Sequence, residues 1–203
     1  MRRSTENRGG FIRFLKEAVK ALLYRPRGVT FGERSYIHRP YSISGRNRVK
    51  IGKRTVIGSG LHIQAITNYA GVDYQPLVEI GDDVYIGSNA YFTAIDKISI
   101  GDGSVLSEQV YITDEFHGMD PHAGLIMRQP LTSKGPVTVG RGCFLGFRAS
   151  IMPGVALGDH CIVGANSTVT HSFPAYSMVG GSPARLLKQY SAEARAWLPA
   201  ENH

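Results

Sequence analysis

The sequence predicts an all-β fold in which short strands coil around three flat sides. Between Val139 and Val169 an aliphatic residue recurs at every sixth position, and glycine follows it in four of the six cases. An α-helix repeats its apolar face about every 3.6 residues and a single strand repeats every two, so neither has a period of six. A short strand followed by a tight corner has this period, and three such sides make one turn of roughly 18 residues.

The same period occurs upstream, where three further runs of three hexads begin at Ile51, Ile80 and Ile100. Three interruptions separate the runs: 67–77, 96–99 and 115–135. We therefore expect about five stacked turns with loops inserted at corners. Because parallel strands lie ~4.8 Å apart, the coil should be roughly 25 Å long.

The chain divides into three predicted parts, an N-terminal arm (1–48), the coil (49–172) and a C-terminal tail (173–203). In the arm, Phe11–Tyr24 has the apolar spacing of an amphipathic helix, which either caps the open end of the coil or contacts an anionic membrane surface. In the tail, Ser191–Leu198 is predicted as a short helix with Ser191 as its N-cap.

Composition limits the class of protein. The 203 residues are 42% apolar and include 24 glycines, which is typical of a soluble, turn-rich domain. No run of about 20 apolar residues and no secretory signal is present, so we expect a cytoplasmic protein that is membrane-peripheral if the arm contacts lipid. The net charge of +7 suits nucleic acid, anionic lipid or a phosphorylated small molecule. Since no nucleic-acid motif accompanies the charge, no nucleic-acid partner is expected.

Two other features have ordinary structural interpretations. Cys143 and Cys161 are 18 residues apart, so they should stack on neighbouring turns, as a buried reduced pair rather than a disulfide. The basic residues between Arg46 and Arg54 are interpreted as a solvated face of the coil.

Three further stretches, taken with the hexads, resemble the hexapeptide-repeat acyltransferases. They are TDEFHG (113–118), IMPGVALGDHCIVGANSTVTHSFP (151–174) and GGSPARLLK (180–188). The similarity is closest to sugar O-acetyltransferases of the maltose and galactoside type and to enzymes that modify polysaccharides. The resemblance implies a left-handed β-helix, a homotrimer, acetyl-CoA as donor and active sites between subunits.

The resemblance places the catalytic base at His117. Histidine suits this role because its ordinary pKa near ~6.5 lets it accept and return a proton at neutral pH. Asp114 and Glu115 are candidates for orienting the imidazole. Asn89 and Arg128 are candidate contacts for the acceptor.

The resemblance also implies a set of residues that bind coenzyme A. They are Phe144, Phe147, Arg148, Ala165, Thr170, His171, Arg185 and Lys188. Small Ala165 would let pantetheine lie against the coil, and cations suit the phosphates. Two positions depart from the family pattern, since Phe147 replaces a small polar residue and His171 replaces lysine. The competing interpretation of Arg185 and Lys188 is an ordinary basic tail.

The predicted function is acetyl-CoA-dependent O-acetylation of a sugar in lipopolysaccharide, capsule or exopolysaccharide synthesis. The acceptor is free, nucleotide-linked or lipid-linked. The alternatives are an amino-sugar N-acetyltransferase, a γ-type carbonic anhydrase and a non-catalytic scaffold. His117 and His122 have a spacing that suits a metal, but the segment 80–100 contains no third histidine, so no metal is expected.

Overall fold

The computed structural model describes residues 25–38 and 41–200 of the chain. This part consists of short strands joined by corners, together with two three-residue 3-10 helices, η1 (Arg46–Arg48) and η2 (Ile126–Arg128). No helix in the described ranges is long and apolar enough to cross a membrane. The predicted helix at Phe11–Tyr24 lies outside the described residues.

The strands follow one another in groups of three. The first three groups are β1 (Thr30–Phe31), β2 (Tyr36–Ile37) and β3 (Tyr41–Ser44); β4 (Val49–Ile51), β5 (Val56–Ile57) and β6 (Leu61–Ala65); and, after the hairpin β7 (Asn68–Tyr69) and β8 (Val72–Asp73), β9 (Leu77–Ile80), β10 (Tyr85–Ile86) and β11 (Tyr91–Ala94). The fourth group is β12 (Lys97–Ile100), β13 (Val105–Leu106) and β14 (Tyr111–Thr113), followed by β15 (Phe116–His117) and β16 (Leu131–Thr132). The rest are β17 (Val137–Val139), β18 (Phe144–Leu145), β19 (Ser150–Ile151), β20 (Ala156–Leu157), β21 (Ile162–Val163), β22 (Thr168–Val169), β23 (Ser177–Gly181), β24 (Ala184–Ser191) and β25 (Ala196–Pro199).

Successive strands of each turn belong to three different parallel sheets, which makes a three-sided parallel β-helix. Face A has the order β1-β4-β9-β12-β17-β20, face B the order β2-β5-β10-β13-β18-β21-β23, and face C the order β3-β6-β11-β14-β19-β22. The three-sided coil that the hexads predict is confirmed. It has six complete turns and part of a seventh, so it is roughly 29 Å long.

The turn count exceeds the prediction because the hexad spacing already begins with Phe31, Ile37 and Ile43, which pair with the next turn in register, and because the chain forms part of another turn after Val169. The coil begins at Thr30 rather than Val49, since Thr30 already pairs with Lys50 in parallel register. At the other end, Phe173 forms a parallel bridge with Leu157, which continues face A beyond the last hexad. The predicted interruption at 96–99 is also shorter, because Lys97–Ile100 is strand β12.

The hexad aliphatic residues form the core. On face B they make one continuous inward column, in which every side chain has no exposed surface: Ile37, Ile57, Ile86, Leu106, Leu145, Val163 and Val179. Burial of one such side chain contributes about 1.5–3 kcal/mol. The stabilisation from buried aliphatic side chains is thus spread evenly along the coil, with a similar contribution from each turn.

Glycine follows the aliphatic residue because neighbouring turns approach too closely there for a side chain. A Cβ added to Gly146 would lie 2.6 Å from the backbone nitrogen of Ala165 on the next turn. Between faces B and C the corners instead take the left-handed conformation at non-glycine residues, with φ of 59° at Asn89 and 56° at Arg148.

The prediction of a helix at Ser191–Leu198 is wrong, because this segment is part of an antiparallel hairpin. β24 pairs with β25, and the rings of Tyr190 and Trp197 are 5.5 Å apart across the two strands. Ser191 Oγ does accept a hydrogen bond from the Ala194 amide, as an N-cap would. The chain then adopts a φ of 48° at Arg195 and turns back, so the serine closes a hairpin loop.

The two cysteines are free and buried, as predicted. They lie on neighbouring turns, directly before the register pair Phe144 and Ile162. Hydrogen bonding with Cys161 and burial raise the pKa of the Cys143 thiol. The pair therefore acts as small apolar filling of the core.

Lys50 and Arg54 of the basic stretch lie on an exposed surface and are paired with acids on the next turn, in agreement with a solvated face. Arg46 and Arg48 instead donate to the Ile43 carbonyl and to Gln75. Lys50 and Lys97 both reach Glu79, at 3.1 and 2.7 Å, and Arg54 forms a two-pronged contact with Asp83. Hydrogen bonds from Lys97 and then Lys50 hold the pKa of Glu79 below its ordinary value. Exposed pairs of this kind contribute little to stability.

Candidate active site

Two loop excursions leave the same edge of the coil, where face C meets face A. The hairpin β7–β8 follows the second turn, and the long loop 115–135 follows the fourth turn. The third turn passes between them through a tight corner at Ile95 and Asp96. Both loops therefore project from one side of the molecule, one turn apart.

His117 lies at the base of the long loop, on the short strand β15. It pairs with Leu131 of β16, so the two ends of the loop are fastened together by an antiparallel ladder. The imidazole is partly buried, and its Nδ1 atom is buried without a hydrogen-bond partner in the described ranges. Buried polar atoms normally have a partner, so this nitrogen marks a place where a ligand or another chain would complete the pairing.

Glu115 lies two residues before His117 and has one carboxylate oxygen engaged. Its Oε1 accepts a hydrogen bond from Thr93 Oγ1 at 3.0 Å, and its backbone amide donates to Thr113 Oγ1. The second oxygen, Oε2, is buried and unpaired among the described residues. A carboxylate oxygen and an imidazole nitrogen that both lack a partner in the described ranges therefore occur two residues apart in the chain.

Asp114 has a different position from the one that an imidazole-orienting role needs. Its carboxylate is fully buried and accepts hydrogen bonds from the backbone amides of Ile95 and Asp96, at 2.8 and 3.0 Å. Both oxygens thus fasten the long loop to the tight corner of the turn below. Burial raises the pKa of this carboxyl to about 6, although the two amide bonds oppose the shift.

A row of aromatic side chains on face C was not predicted from the sequence. His62, Tyr91 and Tyr111 occupy the same outward position on three successive turns. The rings of His62 and Tyr91 are stacked at 4.3 Å, and those of Tyr91 and Tyr111 are 5.8 Å apart. Burial, followed by the nearby Glu115 carboxylate, raises the pKa of Tyr91. The signal in the sequence is the residue before the third aliphatic of each turn.

The candidate acceptor contacts lie on two different edges. Asn89 is exposed on the edge between faces B and C, where its backbone amide donates a hydrogen bond to the Ser59 carbonyl of the preceding turn. Arg128 is exposed at the end of η2 within the long loop. The B–C corner that holds Asn89 and the C–A corner of the same turn are separated by about five extended residues, a length of roughly 16 Å.

The predicted donor contacts are exposed and follow the lower half of the coil. Phe147 and Ala165 stack on the B–C edge, where the Asn166 amide donates to the Phe147 carbonyl at 2.7 Å. Arg148 belongs to the same edge, and its guanidinium lies 5.0 Å from the Phe147 ring while Nε donates to Gln109. Phe144 is 44% exposed on face B.

The remaining donor candidates lie at the end of the coil. Thr170 and His171 follow β22 on the C–A edge, and the His171 ring is 4.5 Å from that of Phe173. Arg185 and Lys188 are exposed on β24, which extends face B by an antiparallel strand. Neither basic side chain is paired with an acid in the residues that the structure describes, so both offer charge to a phosphate.

Within residues 25–38 and 41–200, no group of three histidine, cysteine, aspartate or glutamate side chains is arranged to hold a metal ion. His122, which shares the long loop with His117, is exposed.

Comparison with known proteins links this geometry to one group of enzymes. A family model described as the hexapeptide repeat of succinyl-transferase matches residues 77–114 and 136–171. WbbJ of Escherichia coli (strain K12), whose name assigns it to lipopolysaccharide biosynthesis as an O-acetyl transferase, is 26% identical over 93% of this chain and 92% of its own length. WcaF of the same strain, named for colanic acid biosynthesis as an acetyltransferase, is 30% identical over 69% of each chain.

The fold is also similar to that of solved structures. A mutant of AntD, an N-acyltransferase from Bacillus cereus, aligns with a TM-score of 0.68 and covers 88% of this chain and 90% of that one. The sequence identity is 19%, so this similarity concerns the fold.

Proposed function

Because the chain belongs to the hexapeptide-repeat acetyltransferases, we propose that it transfers an acetyl group from acetyl-CoA to a sugar hydroxyl during cell-surface polysaccharide synthesis. The names of WbbJ and WcaF support this substrate class, and WbbJ is named for transfer to oxygen. We also expect the coil to be left-handed, as the family resemblance implies.

The observation that carries the proposal is the placement of His117. Its partly buried ring has one nitrogen without a hydrogen-bond partner in residues 25–38 and 41–200, and it lies where two loops meet beside the coil. A sugar hydroxyl is too weak an acid to ionise at neutral pH, so its proton has to be removed as its oxygen attacks. The new bond forms between this oxygen and the acetyl carbonyl carbon, the C–S bond breaks, and the proton passes through His117 to the leaving thiolate.

Glu115 has a complementary role in this proposal. Its Oε2 is buried without a partner among the described residues, so in this proposal it pairs with the imidazole, or with an acceptor hydroxyl once the loop shifts to admit it. Thr93 holds the other oxygen, which limits the positions that the carboxylate can take. Asp114 positions the loop through the corner at Ile95 and Asp96, and Asn89 and Arg128 remain proposed acceptor contacts.

The donor is proposed to lie along the B–C edge. Ala165 is small and exposed beside Phe147, so an extended pantetheine arm can lie against the backbone there. Arg185 and Lys188, which pair with no acid in the described part of the chain, provide positive charge for the phosphates at the end of the coil. Phe144 and Arg148 complete the proposed donor set beside this edge, whereas Thr170 and His171 lie on the C–A edge and are proposed to contact a donor that is bound on a second copy of the chain.

We propose a homotrimer, as the family resemblance implies, and the separation of these two parts supports assembly. The donor edge and His117 lie on opposite sides of face C in one chain, whereas reacting atoms have to approach to about 3–3.5 Å. A second copy can bring its donor edge to the loops of the first, and a cyclic arrangement of such contacts closes on itself.

The test replaces His117 and uses His122 as its matched control. His117→Ala should lower kcat about 10²- to 10⁴-fold, the usual contribution of a general base. His122→Ala, an exposed histidine of the same loop, should leave kcat unchanged. The assay follows thiol release from acetyl-CoA with a panel of hexoses, hexosamines and nucleotide-linked sugars, and mass spectrometry locates the acetyl group.

Three results would change the proposal. Equal activity of the two variants would remove His117 as the base. Acetylation of amines alone would replace the reaction with amino-sugar N-acetylation. If the wild-type protein acetylated none of the acceptors with acetyl-CoA, a non-catalytic scaffold would become the favoured function.

A further inference from the structure

The hairpin β7–β8 contacts the strand that holds His117. The ring of Tyr69 lies edge-on to the His117 imidazole, with the ring centroids 5.4 Å apart and the planes inclined at 67°. Aromatic pairs of this geometry contribute about 0.5–1.5 kcal/mol beyond their buried area. A residue from the second turn therefore limits the orientation of a side chain that follows the fourth turn.

Two hydroxyl groups of the same hairpin bind the backbone on both sides of His117. Tyr69 Oη donates to the Met127 carbonyl at 2.9 Å, within the long loop. Tyr74 Oη donates to the Leu131 carbonyl at 3.0 Å, and Leu131 is the residue opposite His117 in the β15–β16 ladder. These contacts fix both the ring and the strand partner of the proposed base.

The hairpin is stiff enough to serve as a support. Its two-residue turn, Ala70 and Gly71, has positive φ at both positions, the geometry that matches the twist of a tight hairpin. Asn68 Nδ2 donates to Asp73 Oδ1 at 2.6 Å, and the Tyr74 amide donates to the Thr67 carbonyl.

The long loop is fastened internally by one buried side chain. Gln129 Nε2 donates to the carbonyls of Asp120 and Gly124, while its Oε1 accepts from the Asp120 amide. The loop therefore behaves as one body, and the tyrosine contacts set where that body lies against the coil.

We propose that Tyr69 and Tyr74 are positioning residues for His117, so that the hairpin of the second turn holds the base in its reactive orientation. This rests on the proposed function, in which His117 removes the proton of the acceptor. Neither tyrosine is required to touch the donor. A displacement of about 1 Å at a reacting group can cost about 10²-fold in rate, which is why such a support matters.

The experiment compares Tyr69→Leu, Tyr69→Phe and Tyr74→Phe with the wild-type protein. Tyr69→Leu removes the ring contact and should lower kcat at least about tenfold, with the KM for acetyl-CoA within about twofold of wild type. Tyr69→Phe keeps the ring and should recover most of that loss. Tyr74→Phe should lower kcat by a smaller factor, because it releases only the strand opposite His117.

Tyr176→Leu is the matched control, since the ring of Tyr176 also stacks on a histidine, His160, at 5.1 Å but belongs to the far end of the coil. It should leave kcat unchanged. Wild-type kcat in Tyr69→Leu would overturn the proposal, as would an equal loss in Tyr69→Phe and Tyr69→Leu or an equal loss in the control.

A second measurement separates this inference from the proposed function. Carbethoxylation of His117 by diethyl pyrocarbonate, followed by mass spectrometry, should be faster in Tyr69→Leu than in wild type, because the ring covers one side of the imidazole. Unchanged labelling would count against the positioning role even if no acceptor were acetylated. Full activity of His117→Ala would instead remove the base itself, whatever the labelling shows.

Discussion

Asp114 shows how one buried acid can connect two turns of the coil. It has no exposed surface, and both of its carboxylate oxygens accept hydrogen bonds from backbone amides at the tight corner of the third turn. The TDEFHG motif draws attention to this carboxylate as a partner for the imidazole, but spacing along the chain does not reveal that the corner lies directly below it. The second and fourth turns each carry an inserted loop at this edge of the coil, whereas the third turn passes it through a tight corner, and the contact depends on this arrangement.

The titration of Asp114 gives a prediction at this scale. Its pKa in the folded chain is about 6, above the ordinary value of 3.8, so folding favours the protonated form. The stabilisation is complete below the ordinary value and is lost as the pH rises through about 6. The free energy of unfolding of wild type minus that of Asp114→Asn should therefore fall by up to about 3 kcal/mol between pH 3.5 and 7. Urea unfolding at equal protein concentration measures it, and a rise over this range would mean that the two amide bonds outweigh burial.

His117 and Tyr69 differ in how far the sequence could identify them. His117 is a candidate base because its motif resembles that of a known family. Tyr69 reaches His117 across 48 residues of chain and one intervening turn, so only the folded backbone shows their contact. A tyrosine in an inserted loop lies outside the hexad repeat, so nothing in the sequence indicates which residue it contacts.

At the scale of elements, the close approach of neighbouring corners is what demands glycine. At Gly146 an added Cβ would lie 2.6 Å from the Ala165 backbone nitrogen, whereas at Gly164 the nearest atom is Ser167 Oγ at 3.4 Å. The hexad pattern places a glycine at both positions and so cannot distinguish them. The difference arises because the following turn, β23, departs from the regular repeat.

These two glycines provide a matched stability test. Gly146→Ala should destabilise the protein by about 1–3 kcal/mol, because a backbone atom has to move to admit the methyl group. Gly164→Ala should change the free energy of unfolding by less than about 1 kcal/mol, since its contact is an ordinary one. Thermal or urea unfolding of both variants measures the difference. Equal losses would show that glycine serves backbone conformation rather than close packing.

The C-terminal hairpin marks the limit of local patterns. Ser191 followed by Glu193 is typical of a helix start, and the serine does bind the Ala194 amide. The outcome is decided by β23, whose open edge pairs with β24 over five residues. Edge pairing between distant strands is a tertiary effect that overrides a weak local preference.

At the scale of the whole molecule, the three faces of the coil differ in character. Face A presents ion pairs and face C presents the aromatic row. Face B presents an outward apolar stripe on six consecutive turns, which comprises Val56, Tyr85, Val105, Phe144, Ile162 and Met178. Large exposed apolar patches of this kind mark association surfaces. The hexad pattern predicts which residue of each side points into the core but not how the outward residues line up. The stripe is therefore visible only from the register in which the strands of neighbouring turns pair.

The stripe gives the prediction for assembly. Val105→Lys places a charge at its centre, where Val105 is 38% exposed, and should convert a trimer into monomers with little acetyl transfer. Ser99→Lys makes the same change on face A, beside Glu79, and should leave mass and activity unchanged. Light scattering after size exclusion, with the thiol-release assay, measures both. A fully active Val105→Lys monomer would place the whole site within one chain.

The reversal of the chain after β23 has a consequence for solubility. A parallel coil that ended on an open strand could add the first turn of another molecule in the same direction and grow into a fibre. β24 instead runs antiparallel to β23, and β25 runs antiparallel to β24. On face A, Phe173 forms a single bridge with Leu157. The hairpin therefore occupies the edge of β23 and removes one of the three faces on which another molecule could continue the coil.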